Sequence, residues 1–224
     1  MTERLNRCKE IVRIRKNSLI LFSDEKLFML QQAHNPQNDR VWSVSLNDIH
    51  SSERFVERKQ GSKSIMVWAA VSIEGKWPLL FIDKGVKINS QYYLDTVLRD
   101  HVLRYAPMLF GNKQWVLQQD NAPAHTTNVV QNWCSKNLHA FIDKKLWPPS
   151  SPDLNPLDFS IWRMMSSKLT NIDQSMSIDE FKNKLNSIWR DLPIENIKHA
   201  CKAFIPRCKA VIKAKGGKIE NILK

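Results

Sequence analysis

Two short apolar runs, each leading into an aspartate, constrain this chain more than any other feature. Leu19, Ile20, Leu21 and Phe22 lead through Ser23 to Asp24, and Trp115, Val116 and Leu117 lead through Gln118 and Gln119 to Asp120. Runs of this length and apolarity read as buried strands. A sheet presents the residues that follow such strands at its rim. If the two strands are neighbours, the carboxylates of Asp24 and Asp120 meet. Two close carboxylates repel each other unless a proton or a cation neutralises them.

The rest of the chain supplies the other layers. Residues 1–17 read as a basic amphipathic helix with Leu5, Cys8, Ile11, Val12 and Ile14 apolar. Further strands are expected at Leu27–Leu30, Val41–Val44, Ile65–Ser72, Pro78–Ile82 and His139–Ile142, with a turn at Glu74-Gly75. Ser90–Tyr105 reads as a helix, because Leu94, Val97, Leu98, Val102 and Tyr105 fall on one face. Helices are also expected at 126–135, from Pro156 to Leu169, and from Ile178 onward, the last with basic faces. Trp147–Leu154 is a proline-rich loop. This order predicts an α/β fold with a mixed central sheet flanked by helices. Residues 18–224 form one domain of ordinary size, preceded by the basic helix of residues 1–17.

Charge points to a partner class. The net charge is +12, of which residues 1–17 hold +4 and residues 195–224 hold +6. Basic ends on a nearly neutral middle suit a polyanion, although basic tails also serve solubility and do not decide the matter alone. No apolar stretch is long enough to span a bilayer, and the first residues have no signal-peptide core, so a cytosolic or nuclear protein with no membrane role is expected. Cys8, Cys134, Cys201 and Cys208 make no C-x-x-C pair and read as reduced thiols. Cys201 and Cys208 are expected two turns apart on one helix, too far for a disulfide.

A third acid completes the chemistry. Oxygen-only ligands favour Mg²⁺ or Mn²⁺, and three carboxylates make a two-metal site for in-line displacement at phosphorus. After the proline-rich loop, Asn155 is placed as a helix N-cap with Pro156 at the first helical position. Asp158 then falls in the first turn. Asp153, before Pro156, reads as an organiser of the loop through local backbone hydrogen bonds. Each aspartate alone also has an ordinary reading as a turn residue or a complement to a helix dipole; their combination carries the signal.

That combination resembles the Tc/mariner transposases. Phe22-Ser23-Asp24-Glu25-Lys26, Gln119-Asp120-Asn121-Ala122-Pro123-Ala124-His125 and Trp147-Pro148…Ser151-Pro152-Asp153-Leu154-Asn155-Pro156-Leu157-Asp158 are similar, in order, to three blocks of that family. Ser64–Ala69 resembles its hydrophobic third strand, and segments at both ends resemble the flanks of its catalytic domain. The resemblance implies an RNase H-like fold with a triad of Asp24, Asp120 and Asp158 holding two Mg²⁺ or Mn²⁺ ions. The intervening lengths are 95 and 37 residues, and the second is similar to the maT branch. The implied activity is metal-dependent cleavage and strand transfer of double-stranded DNA, by cut and paste, in the nucleus. A homodimer is implied by the family alone, and no small-molecule substrate is expected. Family members carry helix-turn-helix modules ahead of the catalytic domain. Here residues 1–17 resemble the end of the interdomain linker, so this chain is expected to lack the DNA-reading module.

Several residues carry two readings. Asn121 could hold the Asp120 loop by an Asx-type turn. His125 could contact phosphate or order that loop, or could cap the helix after it. Trp147 is the tryptophan placed to touch DNA, whereas Trp42, Trp68, Trp115, Trp162 and Trp189 read as core. Two alternatives to a working transposase core stand: a domesticated DNA-binding or scaffolding protein that keeps the fold without using metals, and a nuclease of RNA–DNA hybrids. Intact acids favour catalysis over the first, and the Ser151–Pro156 block argues against the second.

Overall fold

The computed structural model describes residues 2–15, 17–30, 63–169, 173 and 175–220. The expected strand at Val41–Val44 and Trp42 lie outside these. Strand β1 (Ile20–Met29) is the middle of a mixed sheet. On one side it pairs antiparallel with β2 (Ser64–Ser72), which also carries β3 (Gly75–Lys76) and β4 (Leu80–Ile82). On the other side β1 runs parallel to β5 (Val116–Gln118), and β5 runs parallel to β6 (Ala140–Ile142). The sequence reading stopped the first strand at Asp24-Glu25-Lys26 and started another at Leu27. Both belong to β1, because β2 continues the ladder across this polar stretch, with Asp24 opposite Ala69 and Lys26 opposite Val67.

Side chains alternate across the pleat, so each face has its own core. Ile20, Phe22 and Phe28 of β1 join Ile65, Val67, Ala69 and Val71 of β2 on one face. Leu21, Trp68, Ala70 and Leu117 line the other. The second face is covered by α2 and α3. Helix α2 runs through Ser90–Tyr92, a wide-turned segment Tyr93–Val102 and Leu103–Phe110. Asn89 caps its start by accepting from the Tyr92 amide at 2.9 Å. It extends beyond the expected end at Tyr105 because Ala106 and Phe110 prolong the buried stripe, and Gly111, at φ +55°, stops it. Helix α3 spans Asn128–Asn137.

The first face carries the remaining helices. These are α1 (Thr2–Arg15), α4 (a wide turn Leu157–Ile161 followed by Trp162–Ser167), α5 (Ile178–Arg190), α6 (Ile194–Lys202) and α7 (Phe204–Lys213). Cys8 and Ile11 of α1 are fully buried in this core. Cys201 and Cys208 sit on two helices, not one: the chain breaks at Ala203, because Pro206 has no N–H to bond the carbonyl of Lys202. All four thiols are free and buried.

Phe204 ties this layer together. It stands edge-on to Phe22 of β1 at 5.0 Å between ring centroids and lies parallel to Trp147 at 6.1 Å. Its side chain is only 1% exposed, so truncation leaves a cavity between helix, sheet and loop. Phe204→Ala is expected to lower stability by about 3–5 kcal/mol in urea unfolding; a loss below about 1 kcal/mol would show that the layer does not depend on this ring.

Candidate active site

Strand register brings Asp24 and Asp120 together. The last parallel pair of β1 and β5 is Phe22 with Gln118, and each aspartate lies two residues further along its strand direction. By alternation both leave the sheet on the face that carries α4. Ser23 Oγ donates to the Gln118 carbonyl at 2.8 Å and clamps the two strands just before they diverge. Past this point β5 ends while β1 continues.

The third acid arrives by a separate device. Asn155 Oδ1 accepts from the Leu157 amide at 3.1 Å and its carbonyl accepts from the Phe159 amide at 3.1 Å, which is the geometry of an N-cap. Its Nδ2 donates to the Ser23 carbonyl at 3.1 Å. One buried side chain thus starts the helix and bolts it to β1 beside Asp24. Asp158 follows at the exposed lip of the cleft, within reach of the Asp24 carboxyl. Residue spacing then places Trp162 on the same helical face as Asp158, and its Nε1 donates to Asp24 Oδ2 at 2.6 Å. The sequence reading assigned Trp162 to the core and missed this contact; the four-residue separation from Asp158 was the available signal.

Asp120 is held by its own loop. Its Oδ1 accepts from the Ala122 amide at 2.9 Å, so Asp120 makes the Asx turn expected of Asn121. Asn121 instead reaches across to the proline-rich loop, where Nδ2 donates to the Trp147 carbonyl at 3.1 Å. His125 is a loop organiser and not a helix cap; the cap of α3 is Thr127. Its ring is buried against Tyr93, 4.0 Å between centroids, with Nδ1 2.7 Å from Asp120 Oδ1 and Nε2 3.4 Å from Glu25 Oε1. Glu25, absent from the candidate set, alternates to the opposite face from Asp24 and so faces this histidine.

Two more expectations are corrected. Trp147 is 3% exposed and stacked on Phe204, so its indole is packed into the core and not presented on the surface as a loop tryptophan was expected to be. Asp153 does not bond its own backbone: its carboxylate pairs with Arg4 of α1, because the loop folds back against that helix. Asp120, Asp158, Asn121 and the loop residues Trp147, Pro148 and Ser151 line a cleft of about 430 Å³. At its wall Ser150 adopts φ +46°, a left-handed conformation that costs a non-glycine residue about 1–2 kcal/mol.

The carboxyls divide electrostatically. Burial pushes Asp24 up to about 8, and the charges of Asp158, Glu25 and Asp120 add to this against the bond from Trp162. Withdrawal from water also raises Asp158, aided by Asp120 and Glu25 and opposed by the bond to Asp24 and the charge of Lys26. Asp120 goes the other way. Burial opposes its ionisation, but the bond and charge of His125 and the Ala122 amide hold it below the usual carboxylate range. Burial likewise opposes the charged form of His125, and the two carboxylates outweigh it, raising the imidazole to about 9. Among the described residues, no three carboxylate, imidazole or thiol groups stand close enough to grip one ion together. The donor set nevertheless suits a hard divalent cation: its members are oxygens, and Asp24 and Asp158 carry raised pKa values, Asp158 eased only in part by the charge of Lys26.

A mixed sheet layered between helices, with acids at one rim, is an RNase H-like domain, and comparison with solved proteins places it further. The structure superposes on the catalytic domain of Mos1 mariner transposase with a TM-score of 0.72 and 17% identity, covering 98% of this chain and 95% of that one. It matches the Mos1 mariner paired-end complex with Mn at a TM-score of 0.80 and 18% identity, covering 98% of this chain and 63% of that one. In sequence it is 32% identical to the transposable element Tcb1 transposase of Caenorhabditis briggsae over 158 residues, 70% of this chain and 55% of that protein. It is 26% identical to the Tc3 transposase of Caenorhabditis elegans over 203 residues, 90% of this chain and 58% of that protein. The chain spans little more than half the length of these relatives. Residues 20–182 match the DDE superfamily endonuclease family, and the chain belongs to it.

The raised carboxyl of Asp24 predicts a pH signature of the metal-free protein. With a folded value of about 8 against about 3.9 unfolded, the unfolded chain ionises first as pH rises, so stability is lost between those values. Asp24→Asn removes that loss. In EDTA the variant is expected to melt like wild type near pH 4 and increasingly above it towards pH 8. Equal melting temperatures across the whole range would show that Asp24 is not destabilised.

Proposed function

We propose that this chain is the catalytic core of a Tc/mariner-type transposase, which cleaves double-stranded DNA and transfers the cut strand using divalent ions held by Asp24, Asp120 and Asp158. The observation that carries this reading is that Asp120 and Asp158 line one cleft while Asp24 lies close enough to interact with both, inside a fold shared with the Mos1 catalytic domain. Family membership and the Mos1 structures with Mn and with Mg support a divalent requirement. Two-ion activation of an attacking water or 3′-hydroxyl, with stabilisation of the leaving oxygen, is the chemistry Mg²⁺ or Mn²⁺ supplies when bound to such a set.

The chain's own residues prepare that site. Trp162 takes up one oxygen of Asp24, and His125 with the Ala122 amide takes up one oxygen of Asp120. Asp120 Oδ2 is left for a cation, and an ion at Asp24 would take the place of its bond to Asp158. Asn155 sets the distance of Asp158 from β1 through the Ser23 carbonyl. Pro148, Pro149 and Ser150 line the cleft. The DNA is the nuclear genome in this reading, and a pair of chains acts on the two ends of one element.

The sequence distribution of charge is partly spent inside the fold. Arg4 and Arg7 bond the proline-rich loop, and Arg207 lies 3.7 Å over the Phe159 ring while donating to the Asp153 carbonyl at 2.9 Å. Lys9, Lys209, Lys213 and their neighbours remain for phosphate. Duplex affinity is expected to fall about 100-fold or more between 50 and 200 mM salt, as for about four neutralised phosphates, when followed by fluorescence anisotropy. A flat salt profile would remove DNA from the reading.

Asp158→Ala is expected to abolish Mn²⁺-dependent nicking while the fold and DNA binding persist. Asp153→Ala loses the partner of Arg4 and should cost about 0.5–2 kcal/mol, similar to a lost cap, with nicking reduced only in part. Melting and nicking assays on both variants decide: wild-type cleavage by Asp158→Ala beside a folded, inactive Asp153→Ala would reassign the third acid. Nicking undiminished in EDTA or in Asp120→Asn would place the activity elsewhere.

A further inference from the structure

Residues 143–155, which deliver Asp158, have little regular structure of their own and are held from outside. The Trp147 carbonyl is the centre of that support. It accepts from Asn121 Nδ2 at 3.1 Å and from Arg7 Nη1. The same Arg7 nitrogen donates to the Lys144 carbonyl at 3.0 Å, and Nη2 pairs with Glu3. One oxygen thus joins three segments: α1, the turn that carries Asp120, and the loop that carries Asp158. The Trp147 ring is buried and stacked on Phe204, which anchors this residue of the loop to the core. The Arg7 side chain is 18% exposed, so its bonds to the loop are made largely out of water, where they count for more.

We propose that Arg7 is a positioning residue for the metal-binding acids: with Asn121 it sets the separation between Asp120 and Asp158 through the Trp147 carbonyl, and so sets the affinity of the site for divalent ions. This rests on the reading of those acids given above. The role requires a guanidinium. Its fork reaches two carbonyls three residues apart and a carboxylate at once, whereas an ammonium on a flexible stem is a point donor without that planar geometry. The helix that bears Arg7 is thereby coupled mechanically to the acids, although it contributes no ligand. Its companion Arg4, paired with Asp153 and donating to the Gly217 carbonyl at 3.4 Å, steadies the far end of the same loop.

The test is Mn²⁺ binding to the whole chain without DNA, read by electron paramagnetic resonance of free Mn²⁺. Wild type, Arg7→Ala, Arg7→Lys, Asp120→Asn and Arg13→Ala are compared, with melting curves and duplex affinity in EDTA for each. Arg13 lies on the exposed side of α1, paired with Glu10, and serves as the charge control. Both Arg7 variants are expected to bind Mn²⁺ about 10-fold more weakly or worse, the loss typical of outer-shell partners. Arg13→Ala should bind Mn²⁺ as wild type does. Duplex affinity in EDTA should change by no more than about 2-fold, since no phosphate contact is removed. If Arg7→Ala is unfolded at the assay temperature, Arg7→Lys carries the test. Wild-type Mn²⁺ affinity in a folded Arg7 variant would overturn the proposal, and so would a loss of duplex affinity as large as the loss of Mn²⁺, which would make Arg7 a phosphate contact. Mn²⁺ binding that survives Asp120→Asn would overturn the reading of the acids themselves, and this proposal with it.

Discussion

The placement of β1 between an antiparallel and a parallel partner is the constraint on which the cleft depends. The long antiparallel ladder with β2 carries β1 past Asp24 without a break. The parallel ladder with β5 is short and stops at Gln118. Where one partner ends and the other continues, the sheet acquires a notch, and the chain leaving β5 must turn away over it. Strands β1, β5 and β6 are mutually parallel, so their carboxyl ends share one side. Ligand sites in sheets of this kind form outside those ends, because the departing loops converge there. The Asp120 turn departs from β5 and the proline-rich loop from β6, so both acids outside β1 reach the notch by the shortest available route.

The notch is held open by polar bonds as much as by packing. Ser23 illustrates this: its hydroxyl binds β1 to β5, and its carbonyl receives Asn155, so the residue before Asp24 locates both neighbouring acids. Buried groups of this kind are costly when unpaired, which makes the arrangement discrete and resistant to small displacements. The two ends of the site are then tuned in opposite senses. His125, charged between Asp120 and Glu25, keeps Asp120 ionised. Asp24 and Asp158, with no imidazole between them, hold their protons more tightly. A divalent ion held there, as proposed, would be stabilised by the first feature and would relieve the second.

Basic residues at the chain ends serve two purposes in the fold. Arg4, Arg7 and Arg207 turn inward to loop carbonyls and to the Asp153 carboxylate, where guanidinium geometry matters more than net charge. Lysines largely remain outside, as expected of a strongly hydrated ammonium on a long stem. A charge map drawn from composition therefore overstates the cations available to a nucleic acid near the proline-rich loop, and the discrepancy falls on arginines specifically.

Features within one element or one motif were legible in the sequence. The apolar runs located β1, β2 and β5, the three-to-four spacing located α2, and the order Asn155, Pro156, Asp158 was read correctly as a helix start, because each depends on neighbours within a few residues. The three acids were singled out for the same reason, together with their resemblance to known blocks; pairing of two predicted strands brings Asp24 to Asp120, whereas the bond of Asn155 to the Ser23 carbonyl brings Asp158. Contacts between residues far apart in the chain were not. Arg4 with Asp153, Trp162 with Asp24, and Arg7 with Trp147 are each separated by more than a hundred residues, and no local pattern encodes them. Even the nearer pair of Glu25 and His125 required the register of β1 against β5, and the fold of the turn after β5, to be known. The continuity of β1 through Asp24-Glu25-Lys26 was likewise decided by β2, which supplies the hydrogen-bonding partner that the polar stretch itself cannot announce. The sequence determined which side chains could offer carboxylates, amides and an imidazole to a site, since that resides in the residues and their immediate neighbours; the tertiary structure alone decided which of them are held, by what, and how far apart, since those are properties of segments meeting in space.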